Sequence, residues 1–179
     1  AGQQRDISLT RRWMDAIGPV SYKQVVPLQL DFVLEVLLKL YRRDGKLPAM
    51  YLITPFKAVR NELRARIVDL DWDRRLGYGK APTQRELRQW AREMVGTVQT
   101  FQGKEQSVVM LVLGADDSTA GAAQWAAGTP NLLNVALTRA QHYVYIVGNP
   151  LLWGQLPHFA PACAQLAHTG MQEFLVEMG

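Results

Sequence analysis

A chain that binds and splits a nucleotide unaided needs a glycine-rich loop that ends in Gly-Lys and then Ser or Thr. The loop amides cradle the phosphates, the lysine neutralises them and the hydroxyl holds magnesium. Three Gly-Lys pairs occur here, and Leu47, Ala81 and Glu105 follow Lys46, Lys80 and Lys104. None supplies the hydroxyl. No G-x-G-x-x-G spacing occurs either. Asp116-Asp117, behind an apolar run, imitate the acidic end of a magnesium-holding strand, but without a phosphate loop a solvated turn is the simpler reading. No nucleophile elbow accompanies the Ser, His and Asp residues, so a hydrolase triad is not supported. Cys163 is the single cysteine, which excludes an intramolecular disulfide framework and a multi-cysteine metal site. His142, His158 and His168 share no short ligand spacing, and no metal site is expected.

Charge is the second chemical signal. Residues 1–100 hold 18 Lys/Arg against 11 Asp/Glu, whereas residues 101–179 hold 2 against 5. A basic half suits a phosphate-bearing or nucleic-acid partner. It equally suits helices with solvated arginine-rich faces. Fourteen of the 20 cations are arginine, the side chain that grips phosphate in a bidentate fork. Five scattered tryptophans offer base-stacking platforms or, more simply, core.

These residues need elements to position them. At 179 residues, 48% hydrophobic and 20% charged, the chain has room for one ordinary domain with a real core. Leu28 to Tyr41 reads as a largely buried helix closed by Gly45, and Met50 to Thr54 as a short strand. Pro55 opens a helix to Asp69, residues 71–82 read as a loop, and Thr83 with Glu86 forms a capping box for a helix to about Glu93. Residues 95–101 are β-rich. Ser107 to Leu113 and Tyr143 to Val147 are continuous apolar strands, with a helix over Pro130 to Arg139 between them. Strands apolar on both sides, alternating with helices, predict an α/β fold with a mainly parallel sheet covered on both faces. The loops after Thr54, Phe101 and Val147 are the places to look for ligands. The chain opens on Ala1 in polar sequence without a secretory pattern, and no apolar run approaches membrane-spanning length. A cytoplasmic piece of a longer polypeptide, without a membrane partner, is expected.

Two segments carry more specific information. Gly96-Thr97-Val98-Gln99-Thr100-Phe101-Gln102-Gly103-Lys104-Glu105 precedes one apolar strand, and Asn134-Val135-Ala136-Leu137-Thr138-Arg139-Ala140 precedes the other. Together they resemble the last two signature motifs of superfamily 1 helicases, in the branch that includes the nonsense-mediated-decay RNA helicase. Upstream, Ile53-Thr54-Pro55-Phe56-Lys57-Ala58-Val59-Arg60 is similar to a third motif of that family, and the three stand in the family's order. The chain departs from the pattern at Gln99, where an acid is common, and at Gly114-Ala115, which replace an arginine.

The resemblance implies a three-layer RecA-like fold, the second of two motor domains and the one without a phosphate loop. Its expected extent is residues 25–150, with a connecting segment over 1–24 and a C-terminal extension over 151–179. By the resemblance, Arg139 matches an arginine finger for ATP whose magnesium and phosphates are held mainly by a first RecA-like domain. A helix-terminal cation is the plain alternative. Arg60 matches a second γ-phosphate arginine. Gln102, Gly103 and Glu105 match a nucleotide-sensing loop, which is otherwise a simple turn. Thr97 matches a contact to the nucleic-acid backbone, and Thr54 a similar contact or a helix cap. The implied activity is ATP-dependent movement along single-stranded nucleic acid, DNA favoured over RNA, with the isolated chain inactive as an ATP hydrolase. A non-catalytic module that keeps the fold and binds nucleic acid or protein is the alternative.

Overall fold

The computed structural model describes residues 10–77, 79–101, 103–128 and 131–179. Its centre is a six-stranded parallel sheet ordered β3-β2-β4-β5-β1-β6. The strands are β1 (Thr10–Asp15), β2 (Met50–Ile53), β3 (Val95–Gly96), β4 (Gln106–Val112), β5 (Ala140–Gly148) and β6 (Ala167–Gly170). Helix α1 (Pro27–Asp44) links β1 to β2, while α2 (Lys57–Asp69), α3 (Trp72–Leu76) and α4 (Gln84–Met94) link β2 to β3. Helices α5 (Ala120–Ala127) and α6 (Asn131–Arg139) precede β5, α7 (Pro150–Trp153) and α8 (Ala160–Gln165) follow it, and α9 (Met171–Glu177) follows β6.

The connections explain the layers. From β1 to β3 the chain steps one way along the sheet, and from β3 to β6 it steps back. Right-handed crossovers therefore put α1–α4 on one face and α5–α8 on the other. The packing agrees: α1 meets α3 and α2 meets α4, while α5 meets α7 and α7 meets α8. This is the three-layer RecA-like arrangement.

Local chemistry sets the elements. Helix α1 starts on Pro27 and ends on Gly45 in the left-handed conformation, and Leu30, Val33, Leu37 and Leu38 bury its inner face completely. The Thr83 hydroxyl accepts the Glu86 amide and the Glu86 carboxylate accepts the Thr83 amide, both at 3.1 Å, a capping box worth about 1 kcal/mol. In β4, Val109 to Val112 are buried on both sides of the sheet.

Elsewhere the structure departs from the sequence reading. Residues 1–24 read as a connecting segment, yet Thr10–Asp15 lies in the sheet between β5 and β6, with Trp13 and Met14 fully buried. Within the expected loop, Trp72–Leu76 forms a helix, and its indole donates to the Ile67 carbonyl. Only Val95–Gly96 of the β-rich segment pairs as a strand, and Val98–Phe101 turns as a 3-10 helix. Ala167–Gly170, within the expected C-terminal extension, supplies β6. The expected helix start at Pro130 lies outside the described residues. Among the described residues, no helix is long and apolar enough to cross a membrane.

Candidate functional site

Because the sheet is parallel, its strands have one C-terminal end and one N-terminal end, and the motif residues divide between them. Doubly wound sheets bind ligands at the C-terminal end, where neighbouring connections leave in opposite directions. Here that point lies between β2 and β4, and beside it the chain covers the ends of β4 and β5 itself. The loop from Ala16 to Val26 crosses the strand ends. The amide of Ala16 donates to the Gly148 carbonyl at 3.0 Å, and that of Ala115 to the Gln24 carbonyl at 2.8 Å. The fully buried Gln29 ties the parts together, accepting from the Gly114 amide at 2.9 Å and donating to the Ala16 carbonyl at 3.1 Å. Gly114 has φ +64°, and a Cβ there would lie 2.4 Å from the Gln24 carbonyl oxygen. An arginine at this position has no room.

Asp116 belongs to the same closure. One carboxylate oxygen accepts the Val20 amide and the other accepts the Ser118 amide, both at 2.9 Å. The Ser118 hydroxyl and these amides hold the Asp116 carboxyl below its usual range. Its oxygens are committed to pinning the loop, which is the turn reading of this acid.

Thr54 and Thr97 also stand at the C-terminal end. The Thr54 amide donates to the Gly96 carbonyl at 3.1 Å, so the residues after β2 and β3 run side by side. The Thr54 side chain is fully buried, and its hydroxyl accepts the Phe56 amide at 3.3 Å. Thr97 is nearly buried and donates to the Gln99 side chain at 3.1 Å. Arg60 lies in the first helical turn of α2, half-buried, with its Nε on the Asn61 side chain at 3.1 Å.

The N-terminal end holds the other group. Arg139 is the last residue of α6 and immediately precedes β5, whose first residue Ala140 pairs with Gln106, the first of β4. Glu105 and Gly103 therefore approach the same strand starts. Both are exposed, Gly103 has φ +79°, and Gln141 on β5 donates to the Glu105 carboxylate at 3.4 Å. The Nε of Arg139 is buried and has no hydrogen-bond partner among the described residues. A charged donor left so costs about 1–3 kcal/mol or more. Gln102 lies outside the described residues. Thus Arg139 and Glu105 come together, as do Arg60 and the threonines, but about 17 Å of strand separates the level of Gln106 from that of Leu111, beside Ile53.

A family model described as AAA domain matches residues 21–151. The chain belongs to that family. The match supports a helicase-type AAA domain of superfamily 1, and none of the curated proteins matches the chain. In this AAA domain, β1 and β6 fall outside the matched residues, yet they complete the sheet.

One cluster, outside the residues that the family model matches, has no signal in the sequence. The His168 ring lies 2.6 Å from the Asp15 carboxylate through Nδ1 and 2.6 Å from the Cys163 carbonyl through Nε2, with the Cys163 Sγ at 3.9 Å. Only the pairing of β1 with β6 brings Asp15 and His168 close, so no sequence spacing announces it. The imidazole's second nitrogen is taken by a carbonyl, and burial with the nearby Asp15 charge pushes the thiol pKa up. This is a clamp on the end of α8, not an activated nucleophile. Of the five tryptophans, Trp13, Trp72, Trp90 and Trp153 are buried, and only Trp125 on α5 is broadly exposed.

Proposed function

We propose that this domain is the second motor domain of an ATP-dependent superfamily 1 helicase or translocase and works against a first RecA-like domain that holds ATP and its magnesium. The observation that carries the reading is Arg139: a guanidinium whose buried Nε has no partner among the described residues, at the end of the N-V-A-L-T-R-A helix and beside an exposed glycine and carboxylate. Those residues fit a nucleotide presented from outside the chain. Arg139 stabilises the negative charge that spreads over a transferring γ-phosphoryl group, a contribution of about 10³–10⁵ in rate. Gly103 lets the backbone approach closely, Glu105 accepts from a ribose hydroxyl, and Gln102 completes the loop. Magnesium is left to the first domain.

Both matched arginines would reach one phosphate only if α2's first turn and α6's last turn met the same nucleotide. They stand at opposite strand ends, so Arg139 takes the ATP assignment and Arg60 is assigned to the strand-end surface with Thr97. Thr54 is assigned the same contact, its amide on the Gly96 carbonyl next to Thr97. Hydroxyls and amides there make sequence-independent contacts to single-stranded nucleic acid, with DNA favoured. ATP-driven closure and opening of the two domains then moves one strand past them, in the cytoplasm.

The test is the single-strand-stimulated ATPase of the polypeptide that contains both RecA-like domains, wild type beside Arg139→Ala, with ATP binding followed in parallel. Turnover is expected to fall by 10³ or more while binding changes only a few-fold. Equal turnover in the two proteins would leave a non-catalytic binding module as the reading. The isolated chain is expected to hydrolyse no ATP.

A further inference from the structure

Arginines cover two surfaces of this molecule, and only one of them is neutralised. Around α1, α2's outer half and α3, Arg66 pairs with Asp31 and Glu62, Arg75 with Glu35 and Arg74 with Asp71. That is how a merely solvated helix face is built. Helix α4 and the start of α2 differ. Arg60, Arg64, Arg85, Arg88 and Arg92 have no carboxylate partner among the described residues.

The arrangement is directional. Arg85, Arg88 and Arg92 recur at i, i+3 and i+7, so all three share one face of α4 within about 60° and span about 10 Å of its axis. All three are exposed. The acids of α4 lie elsewhere and are occupied: Glu86 in the capping box, and Glu93 accepting from Gln89 at 3.2 Å. Arg64 locks the two helices together, donating to the Val95 carbonyl at 2.6 Å and to the Ala91 carbonyl at 3.2 Å. Burial, and then the like charges of Arg60 and Arg92, hold the Arg64 pKa below the usual arginine value. The fold therefore gathers cations here against their mutual repulsion. Arg64 ties the gathering to Val95 of the edge strand β3, two residues before Thr97.

We propose that the Arg85–Arg88–Arg92 face of α4, joined to Arg60, is a contact track for the phosphate backbone of a single-stranded nucleic acid leaving the strand-end surface. A row of unpaired guanidinium groups beside a sheet edge fits a flexible polyanion, and it reads no base. The proposal rests on the motor reading only for the nature of the polymer. Binding is measured without ATP, so failure of the Arg139 assignment leaves the track standing, and loss of the track leaves Arg139 standing.

The experiment titrates fluorescent dT20 and rU20 with the chain between 50 and 200 mM salt and follows anisotropy. Wild type is compared with Arg85→Gln/Arg88→Gln/Arg92→Gln and with a control of equal charge change, Arg42→Gln/Arg43→Gln/Arg74→Gln, each checked by thermal melting. The track variant is expected to bind both oligomers at least tenfold more weakly at 50 mM salt. Its logarithmic salt slope should be shallower by about 2, from three phosphate contacts at about 0.7 each. The control is expected to stay within about threefold of wild type. The proposal is overturned if wild type binds neither oligomer, if the two triple variants lose equally, or if the track variant keeps wild-type affinity. It is also overturned if a ten-residue polyglutamate binds wild type more tightly than the oligomers, which would assign the track to an acidic protein segment.

Discussion

The two ends of the strands are built on opposite principles. At the C-terminal ends of β4 and β5, the chain satisfies its own polar groups: Gln29 bridges Gly114 and Ala16, Asp116 holds Val20, and the Trp153 indole donates to the Gly114 carbonyl at 3.2 Å. At the N-terminal end, the buried Arg139 Nε has no partner among the described residues, beside the exposed Glu105 and Gly103. The ends of β4 and β5 are covered here from within, and a group able to neutralise phosphate lies at the other end with its Nε buried. Changes at the closed end should therefore cost stability, and changes at the open end should cost activity.

The largest effect expected is the loss of 10³ or more in ATP turnover for Arg139→Ala, with a melting temperature close to wild type. A large fall in stability instead would erase the distinction between the ends. Next comes Gly114→Ala, which forces a Cβ to 2.4 Å from the Gln24 carbonyl at a φ of +64°. It should destabilise by about 2–4 kcal/mol in chemical denaturation. Gln29→Met keeps the shape but strands the Gly114 amide and the Ala16 carbonyl, at about 1–3 kcal/mol.

Asp116→Ala should cost about 1–2 kcal/mol at neutral pH. Its folded pKa lies below the ordinary 3.8, so the charge-dependent part is present above that value and lost as pH falls through the lower folded one. Melting curves of wild type and Asp116→Asn should converge only below about pH 4. The smallest effect belongs to His168. Burial works against its charge, but the hydrogen bonds to Asp15 and to the Cys163 carbonyl outweigh it, and its pKa lies above 6.5. That contribution is complete below 6.5 and declines as pH rises through the raised value. Relative to His168→Gln, wild type should lose a small part of its stability as pH rises above 6.5.

Sequence patterns revealed the elements whose own residues determine them. The apolar runs of β4 and β5 and the Thr83–Glu86 box are local signals, and they appear where expected. Strands β1 and β6 were hidden because TRRWMD and AHTG have no apolar run; Trp13 is buried only because β5 and β6, more than 130 residues away, flank it. At the site, the motif order located Arg139 and Glu105, but no spacing says that the sheet separates Arg139 from Arg60. The α4 arginines show the same limit. Their helical spacing is visible in the sequence, whereas their lack of neutralisation depends on acids such as Glu35, which the fold delivers to Arg75 from 40 residues away.

The position of β1 has a consequence for synthesis and for truncation. As the chain leaves a ribosome, β1 emerges well before its neighbours β5 and β6, so the pairings that bury Trp13 are among the last of this sheet to form. A fragment trimmed to residues 21–151 would lose both β1 and β6 and leave β5, with its apolar Tyr143–Val147 run, as a bare nine-residue edge. Such an edge is a template for pairing with another chain, and the trimmed fragment should aggregate where the full chain stays dispersed.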